Sequence, residues 1–227
     1  MFEAIYGSPW HHPYSFWAVG GPLLALLLVR ARAASHDAER VRLAVLLIVV
    51  QLAILADAWL TAPKLSPLHD PALAESAGIA FVILGDFRYF VLFERYGRKR
   101  PFPRALIGAL ALSLIVPIGS LVIKHFTGGG RVLFMGYEIA FAALAIGVRA
   151  LWLPRLPEGE GRSWIVRLTH FEIAQYLLWA TADVIILAGG GDSFADAGYL
   201  LRLVPNSMYY IAFVPFAWLT APKELRP

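Results

Sequence analysis

The sequence has 227 residues, of which 59% are hydrophobic and only 16% are charged, and its formal net charge at pH 7 is +4. A water-soluble domain of this length could not bury so much apolar surface, so the composition excludes a soluble globule and predicts an all-α, polytopic integral membrane protein. The lack of cysteine excludes disulfides, thiolate catalysis and cysteine-based metal sites.

Seven continuous apolar stretches are long enough to cross a bilayer, which requires about 20 helical residues. Because they are continuous rather than alternating, they predict helices and not barrel strands. The intervening segments are short and rich in Pro and Gly, so we predict one seven-helix transmembrane domain covering residues 1–227. The predicted helices cover residues 14–30, 43–62, 77–95, 104–124, 132–152, 164–188 and 199–220.

Basic residues gather after the first, third, fifth and seventh predicted helices and are sparse on the other side. By the positive-inside rule, the N-terminus lies outside and the C-terminus lies in the cytoplasm. We expect a bacterial cytoplasmic membrane protein that contacts anionic membrane lipid and has no nucleic-acid partner. The basic residues on the predicted cytoplasmic side are Arg30, Arg32, Arg40, Arg42, Arg95, Arg98, Lys99, Arg100, Arg104, Arg149, Arg155, Arg162, Arg167, Lys223 and Arg226.

The second predicted helix carries a carboxylate, Asp57, in its outer third. An ionised carboxylate at the centre of a membrane helix costs about 2.5 to 3.5 kcal/mol, so such a residue must be neutral, paired or in contact with water. Thr61 and Lys64 share a helix face with Asp57, which makes Lys64 one candidate partner.

The third predicted helix carries Asp86 near its middle and Arg88 two residues later. Two residues along a helix point in roughly opposite directions, so Arg88 needs a partner on another helix. We expect that partner to be Glu138 of the fifth helix or Asp183 of the sixth.

The sixth predicted helix carries a polar stripe at steps of three and four residues, which places the stripe on one face and predicts that it lies inside the bundle. The seventh helix adds Asn206, after Pro205, and Tyr209. The stripe consists of Thr169, Glu172, Gln175, Tyr176, Trp179 and Asp183.

Acidic residues on four helices fall in the same outer half of the bilayer: Asp57, Asp86, Glu138 and Asp183. We therefore predict a polar cavity that opens outward. Burial favours the neutral form of a carboxyl and a neighbouring arginine favours its ionised form, so one acid can be neutral while another is charged, as general acid–base catalysis requires. The alternative is that these acids only link helices through hydrogen bonds of about 0.6 to 2 kcal/mol each.

The stretch FVILGDFRYF in the third helix resembles the Gly-Asp motif of the lysoplasmalogenase (YhhN-like) membrane enzymes. YLLWATADVIILAGG and NSMYYIAFVPF resemble that family's second aspartate helix and its tyrosine-bearing last helix. The resemblance implies that Asp86 and Asp183 form an aspartate pair that cleaves the vinyl ether of a lysolipid. Ala182 stands where the family has serine, and we count seven helices where the family has eight.

The helix count and the position of Asp57 in the second helix resemble the small seven-helix membrane terpene cyclases. That resemblance implies protonation of an isoprenoid epoxide or alkene by acids in the second and last helices. At the corresponding level of the last helix this sequence has Asn206 instead of an acid.

We expect a membrane enzyme that uses neither metal nor cofactor and acts on a lipid-like substrate, with Asp86 and Asp183 as the catalytic acid–base pair. The alternative is a proton- or cation-coupled transporter of a small molecule, in which the same acids load and release the coupling ion. In either case the residues expected to bind the substrate are Asp57, Arg88, Glu138, Glu172, Gln175, Tyr176, Trp179, Asn206 and Tyr209.

Overall fold

The computed structural model describes residues 1–62, 64–127, 130–190 and 193–226. Every regular element in these ranges is helical and none is a strand, which confirms the all-α prediction. The α-helices are α1 (Phe2–Tyr6), α2 (Phe16–Ala33), α3 (Ala38–Leu60), α4 (Pro71–Leu92), α5 (Phe102–Ser113), α6 (Ile115–Thr127), α7 (Arg131–Gly147), α8 (Glu160–Gly189), α9 (Ser193–Ser207) and α10 (Phe213–Thr220).

Within the described residues, six helical stretches are long and apolar enough to cross a membrane. Each overlaps one of the first six predicted helices. The seventh predicted helix, 199–220, corresponds to α9 and α10 with a π-helical turn between them, and it is not among the six. The six stretches are Trp10–Ala33, Ala38–Leu60, Pro71–Gly97, Phe102–Val122, Arg131–Arg155 and Glu160–Gly189.

Two prolines explain where the predicted helices are interrupted. Pro117 has no N–H to donate to the carbonyl of Ser113, four residues earlier, and the helix breaks at Leu114 between α5 and α6. Pro205 lies inside α9, and the π-helical turn Met208–Ala212 begins three residues later.

Side-chain caps fix the starts of two long helices. Asp37 accepts hydrogen bonds from the backbone N–H groups of Glu39 and Arg40 and so caps α3. Asp70 accepts from the next helical N–H groups at the start of α4, where Pro71 is the first helical residue. The C-terminal end of α8 is capped by Gly190, which adopts the left-handed conformation that terminates many helices.

The chain divides into two compact units. The first comprises Met1–Tyr6 and Val82–Asn206, and the second comprises Gly7–Phe81 and Ser207–Pro227. In the second unit, α2 packs along α3 and the indole N–H of Trp17 donates to the carbonyl of Leu55 over 3.1 Å.

In the first unit, α7 packs along α8 and α6 packs on α7. Its interior is rich in aromatic side chains, and Tyr89, Phe90, Phe141 and Trp164 are all fully buried. The hydroxyl groups of Tyr89 and Thr169 lie 2.8 Å apart, which joins α4 to α8. These contacts set the positions of the polar residues on α4, α7 and α8.

Candidate functional site

The carboxyl group of Asp86 is fully buried and is held by two phenols from different helices. The hydroxyl of Tyr176, on α8, donates to Oδ1 over 2.5 Å, and the hydroxyl of Tyr137, on α7, donates to Oδ2. Hydrogen bonds are strengthened in a low-dielectric interior. A single carboxyl therefore joins α4, α7 and α8.

Arg88 lies next to this carboxyl and forms a buried ion pair with α8. Its Nη2 is 3.5 Å from Oε1 of Glu172 and 3.2 Å from Oε1 of Gln175, and the two charged side chains are only 2% and 0% exposed. Such burial is tolerated because the opposite charges compensate each other. We call Asp86, Arg88, Tyr137, Glu172, Gln175 and Tyr176 the aspartate–tyrosine cluster.

The prediction that Arg88 pairs with Glu138 or Asp183 is wrong. Glu172 lies 11 residues before Asp183 on α8, which corresponds to about 16 Å along the helix axis. Arg88 contacts α8 at the level of Glu172, and other arginines hold Glu138 and Asp183.

Two polar atoms of the α8 residues in the aspartate–tyrosine cluster remain available for a ligand. Among the described residues, Oε2 of Glu172 and Nε2 of Gln175 are buried and have no hydrogen-bond partner. The two residues are one helical turn apart, so the site offers an acceptor and a donor side by side. A buried polar group without a partner costs about 1 to 3 kcal/mol, so a polar molecule placed here would be stabilised.

A second group of charges surrounds Asp183. Its Oδ1 accepts from Nη1 of Arg131 over 2.7 Å and from Nη1 of Arg202, which also lies 3.3 Å from Oε1 of Glu138. The Nε of Arg202 donates to the hydroxyl of Tyr6 over 2.9 Å. We call Arg131, Glu138, Asp183 and Arg202 the double-arginine cluster, and its formal charges balance.

The polar stripe predicted on the sixth helix is inside the first unit. Thr169, Glu172, Gln175 and Asp183 are fully buried, and the indole N–H of Trp179 donates to Oδ1 of Asn206 over 2.7 Å. The stripe thus passes both clusters.

The proposed catalytic carboxyls, Asp86 and Asp183, have different partners. Tyr176, which binds Asp86, lies seven residues before Asp183 on α8, or about 10 Å along the helix axis. Direct proton transfer between the two carboxyls needs a separation near 3 Å, so their role as an acid–base pair stays a prediction.

Two predicted site residues belong to the second unit and are described there. Asp57 is 5% exposed, and the hydroxyl of Thr61 lies 3.0 Å from its Oδ1. The hydroxyl of Tyr209 donates to the carbonyl of Phe81 over 3.4 Å. Their participation in a common cavity with Asp86 stays a prediction.

Three residues that contact the predicted acids are not among the predicted site residues: Tyr137, Arg131 and Arg202. A local signal existed for two of them. Arg131 precedes Glu138 by seven residues, which places both on one face of α7, and Arg202 lies within the predicted seventh helix, where an arginine needs a partner. Tyr137 gives no such signal because tyrosine is common at membrane interfaces.

Comparison with known proteins finds no family model, no curated protein and no solved structure that matches this chain.

Proposed function

We propose that this chain is an integral membrane enzyme that carries out acid–base chemistry on a lipid-like substrate. In this proposal it has seven spans in a bacterial cytoplasmic membrane, with its N-terminus outside and its C-terminus in the cytoplasm. The six long apolar helices support insertion in a membrane, and the one-sided distribution of basic residues supports the orientation. The seventh span of the proposal would be formed by α9 and α10.

The observation that carries the proposal is the environment of Asp86. Its carboxyl is fully buried between two phenol hydroxyls. One of these phenols, Tyr176, lies on α8 within one helical turn of Glu172 and Gln175, which offer an acceptor and a donor that have no partner among the described residues. A carboxyl in such a site can hold a proton and deliver it to a bound substrate, and the phenols can reorient to stabilise the resulting carboxylate. Asp86 is therefore the proposed general acid.

Glu172 is the proposed electrostatic partner of Asp86 in this reaction. Arg88 forms an ion pair with Glu172, whose Oε2 is available to stabilise a developing cation or to activate water. Gln175 would orient a polar group of the substrate through Nε2. These roles take the place of a direct Asp86–Asp183 exchange.

The proposed substrate is a lipid with an acid-labile group. The resemblance of FVILGDFRYF to the lysoplasmalogenases supports a vinyl ether, and the resemblance to terpene cyclases supports an isoprenoid alkene or epoxide. A vinyl ether or an alkene accepts the proton at carbon and an epoxide accepts it at oxygen, after which its C–O bond breaks. Each of these steps forms a cation that a buried carboxylate can stabilise. Water would then complete the hydrolysis of a vinyl ether.

The test uses purified protein in detergent with a vinyl-ether lysolipid or a prenyl epoxide, and product is measured by mass spectrometry. We expect Asp86→Asn to lower turnover by about 10² to 10⁴-fold, as loss of a general acid does. Asp70→Asn is the matched control, because asparagine also caps a helix and Asp70 lies at the exposed start of the same helix. Full activity of the Asp86 variant would refute the assignment.

The double-arginine cluster favours a second candidate, a proton-coupled transporter. Asp183 and Glu138 share Arg202, so protonation of one carboxyl leaves this arginine paired with the other while the cluster gains one positive charge, as binding of a coupling proton requires. Substrate-dependent acidification of reconstituted vesicles with no new product would support transport. Conversion of the substrate in detergent, where no gradient exists, would support the enzyme.

A further inference from the structure

The turn between α4 and α5 carries a concentrated positive charge. Arg98, Lys99, Arg100 and Arg104 lie within the segment RKRPFPR, and all but the half-buried Arg100 are exposed. The turn follows the helical stretch Pro71–Gly97 and precedes Phe102–Val122, both of which are long and apolar enough to cross a membrane. The cations therefore lie where two such helices leave the hydrocarbon.

A buried carboxylate fixes two of these cations. Glu94 is 1% exposed, its Oε1 is 3.0 Å from Nη1 of Arg98 and its Oε2 is 2.8 Å from Nη1 of Arg100. The two arginine side chains remain 36% and 37% exposed, so each keeps part of its surface open to solvent. One negative charge cannot neutralise two guanidinium groups and the exposed Lys99 between them.

The backbone of the turn is held in place as well. The N–H of Arg100 donates to the carbonyl of Glu94 over 3.1 Å, and Nη1 of Arg95 donates to the carbonyl of Arg100 over 3.3 Å. Lys99 has a φ of 53°, in the left-handed region. Gly108 on α5 leaves room for this arrangement, because a Cβ there would lie 3.1 Å from Nη1 of Arg100.

We propose that this basic turn, residues 98–100, binds the phosphate headgroup of an anionic phospholipid. Guanidinium groups bind phosphate oxygens through paired hydrogen bonds, and a fixed geometry lowers the entropy lost on binding. The turn lies at the end of two apolar helices, so a phosphate anchored in the membrane meets it at the required depth. The proposed cytoplasmic orientation places it at the leaflet surface that carries anionic lipid.

The test is native mass spectrometry of the full-length protein in detergent, titrated separately with phosphatidylglycerol, phosphatidylcholine and inorganic phosphate. Lys99→Asn is the main variant, because Lys99 does not contact Glu94 and asparagine tolerates the left-handed conformation. Arg100→Gln is the second variant. Arg32→Gln is the matched control, because Arg32 is an exposed arginine on the same predicted side of the membrane.

We expect the wild-type protein to retain phosphatidylglycerol in preference to phosphatidylcholine. Each turn variant should bind it about fivefold more weakly, the effect of losing one basic residue beside the headgroup, while the variant of Arg32, which lies outside the turn, is unchanged. Equal retention of the two lipids, or an equal loss in the Arg32 variant, would overturn the proposal. Displacement of the lipid by an equimolar amount of inorganic phosphate would also overturn it and assign the turn to free phosphate.

Discussion

Replacement of Arg88 by methionine tests the energetic role of the buried ion pair. The substitution removes the charged partner of Glu172, which is fully buried, and the donor to Gln175. Removing one member of a buried pair costs about 3 to 5 kcal/mol, because the remaining charge has no compensation. The Nη2–Oε1 separation of 3.5 Å is long for an ion pair, so we expect a loss near the lower limit, about 3 kcal/mol.

A double-mutant cycle separates this pairing from simple loss of packing. Glu172→Gln keeps the acceptor oxygen but removes the charge, and the double variant Arg88→Met, Glu172→Gln leaves neither charge in the interior. We expect the double variant to lose at least about 1.5 kcal/mol less than the sum of the two single losses, since contacting residues couple by 0.5 to 3 kcal/mol.

The assay is the free energy of unfolding in mixed micelles, with helical content as the signal. Arg32→Met is the control, because an exposed arginine should change stability by no more than about 0.5 kcal/mol. Strictly additive losses in the cycle would show that Arg88 and Glu172 do not stabilise each other and would refute the reasoning from their burial.

Two further predictions concern the first unit. A Cβ at Gly198 would lie 2.8 Å from a carbonyl oxygen of α8, so Gly198→Ala should lower the free energy of unfolding by about 1 to 3 kcal/mol. Gly119→Ala is the control: a Cβ there would have no neighbouring atom within 4 Å, so this variant should be neutral or stabilising. Asp196 lies outside the proposed seventh span, and its pKa is lowered because the terminal ammonium of Met1 hydrogen-bonds to it. The carboxylate should therefore protect the Glu3 amide from hydrogen exchange at neutral pH and lose this effect as the pH falls through the lowered pKa; protection that persists in Asp196→Ala would contradict this.

The sequence predicted features that depend on local periodicity. The buried stripe on α8 follows from steps of three and four residues, which a helix converts directly into one face. The apolar stretches likewise predicted the long helices, because the number of consecutive apolar residues shows whether a helix is long enough to cross the bilayer. The break at Leu114 was missed, although Pro117 signals it, because the surrounding residues are uniformly apolar.

Contacts between helices were much harder to predict. The pairing of Arg88 with Glu172 depends on the axial alignment of α4 against α8, which residue spacing within either helix does not contain. Arg202 is largely buried and contacts Asp183 of α8, a partner that its position in the predicted seventh helix does not specify. Tyr137 reaches Asp86 only because α7 packs along α8 at a particular rotation.

The two phenols around Asp86 differ in their freedom to move. Tyr176 is 4% exposed, and its ring lies 4.1 Å from that of Phe141 and 5.3 Å from that of Trp179, measured between centroids. Tyr137 is only partly buried. Each carboxyl oxygen of Asp86 accepts a hydrogen bond from one phenol, so movement of either ring would free an acceptor site for an incoming molecule. Rotation of the more exposed Tyr137 about χ1 would then control access to the carboxyl. The rate of this rotation would set an upper limit on turnover at Asp86.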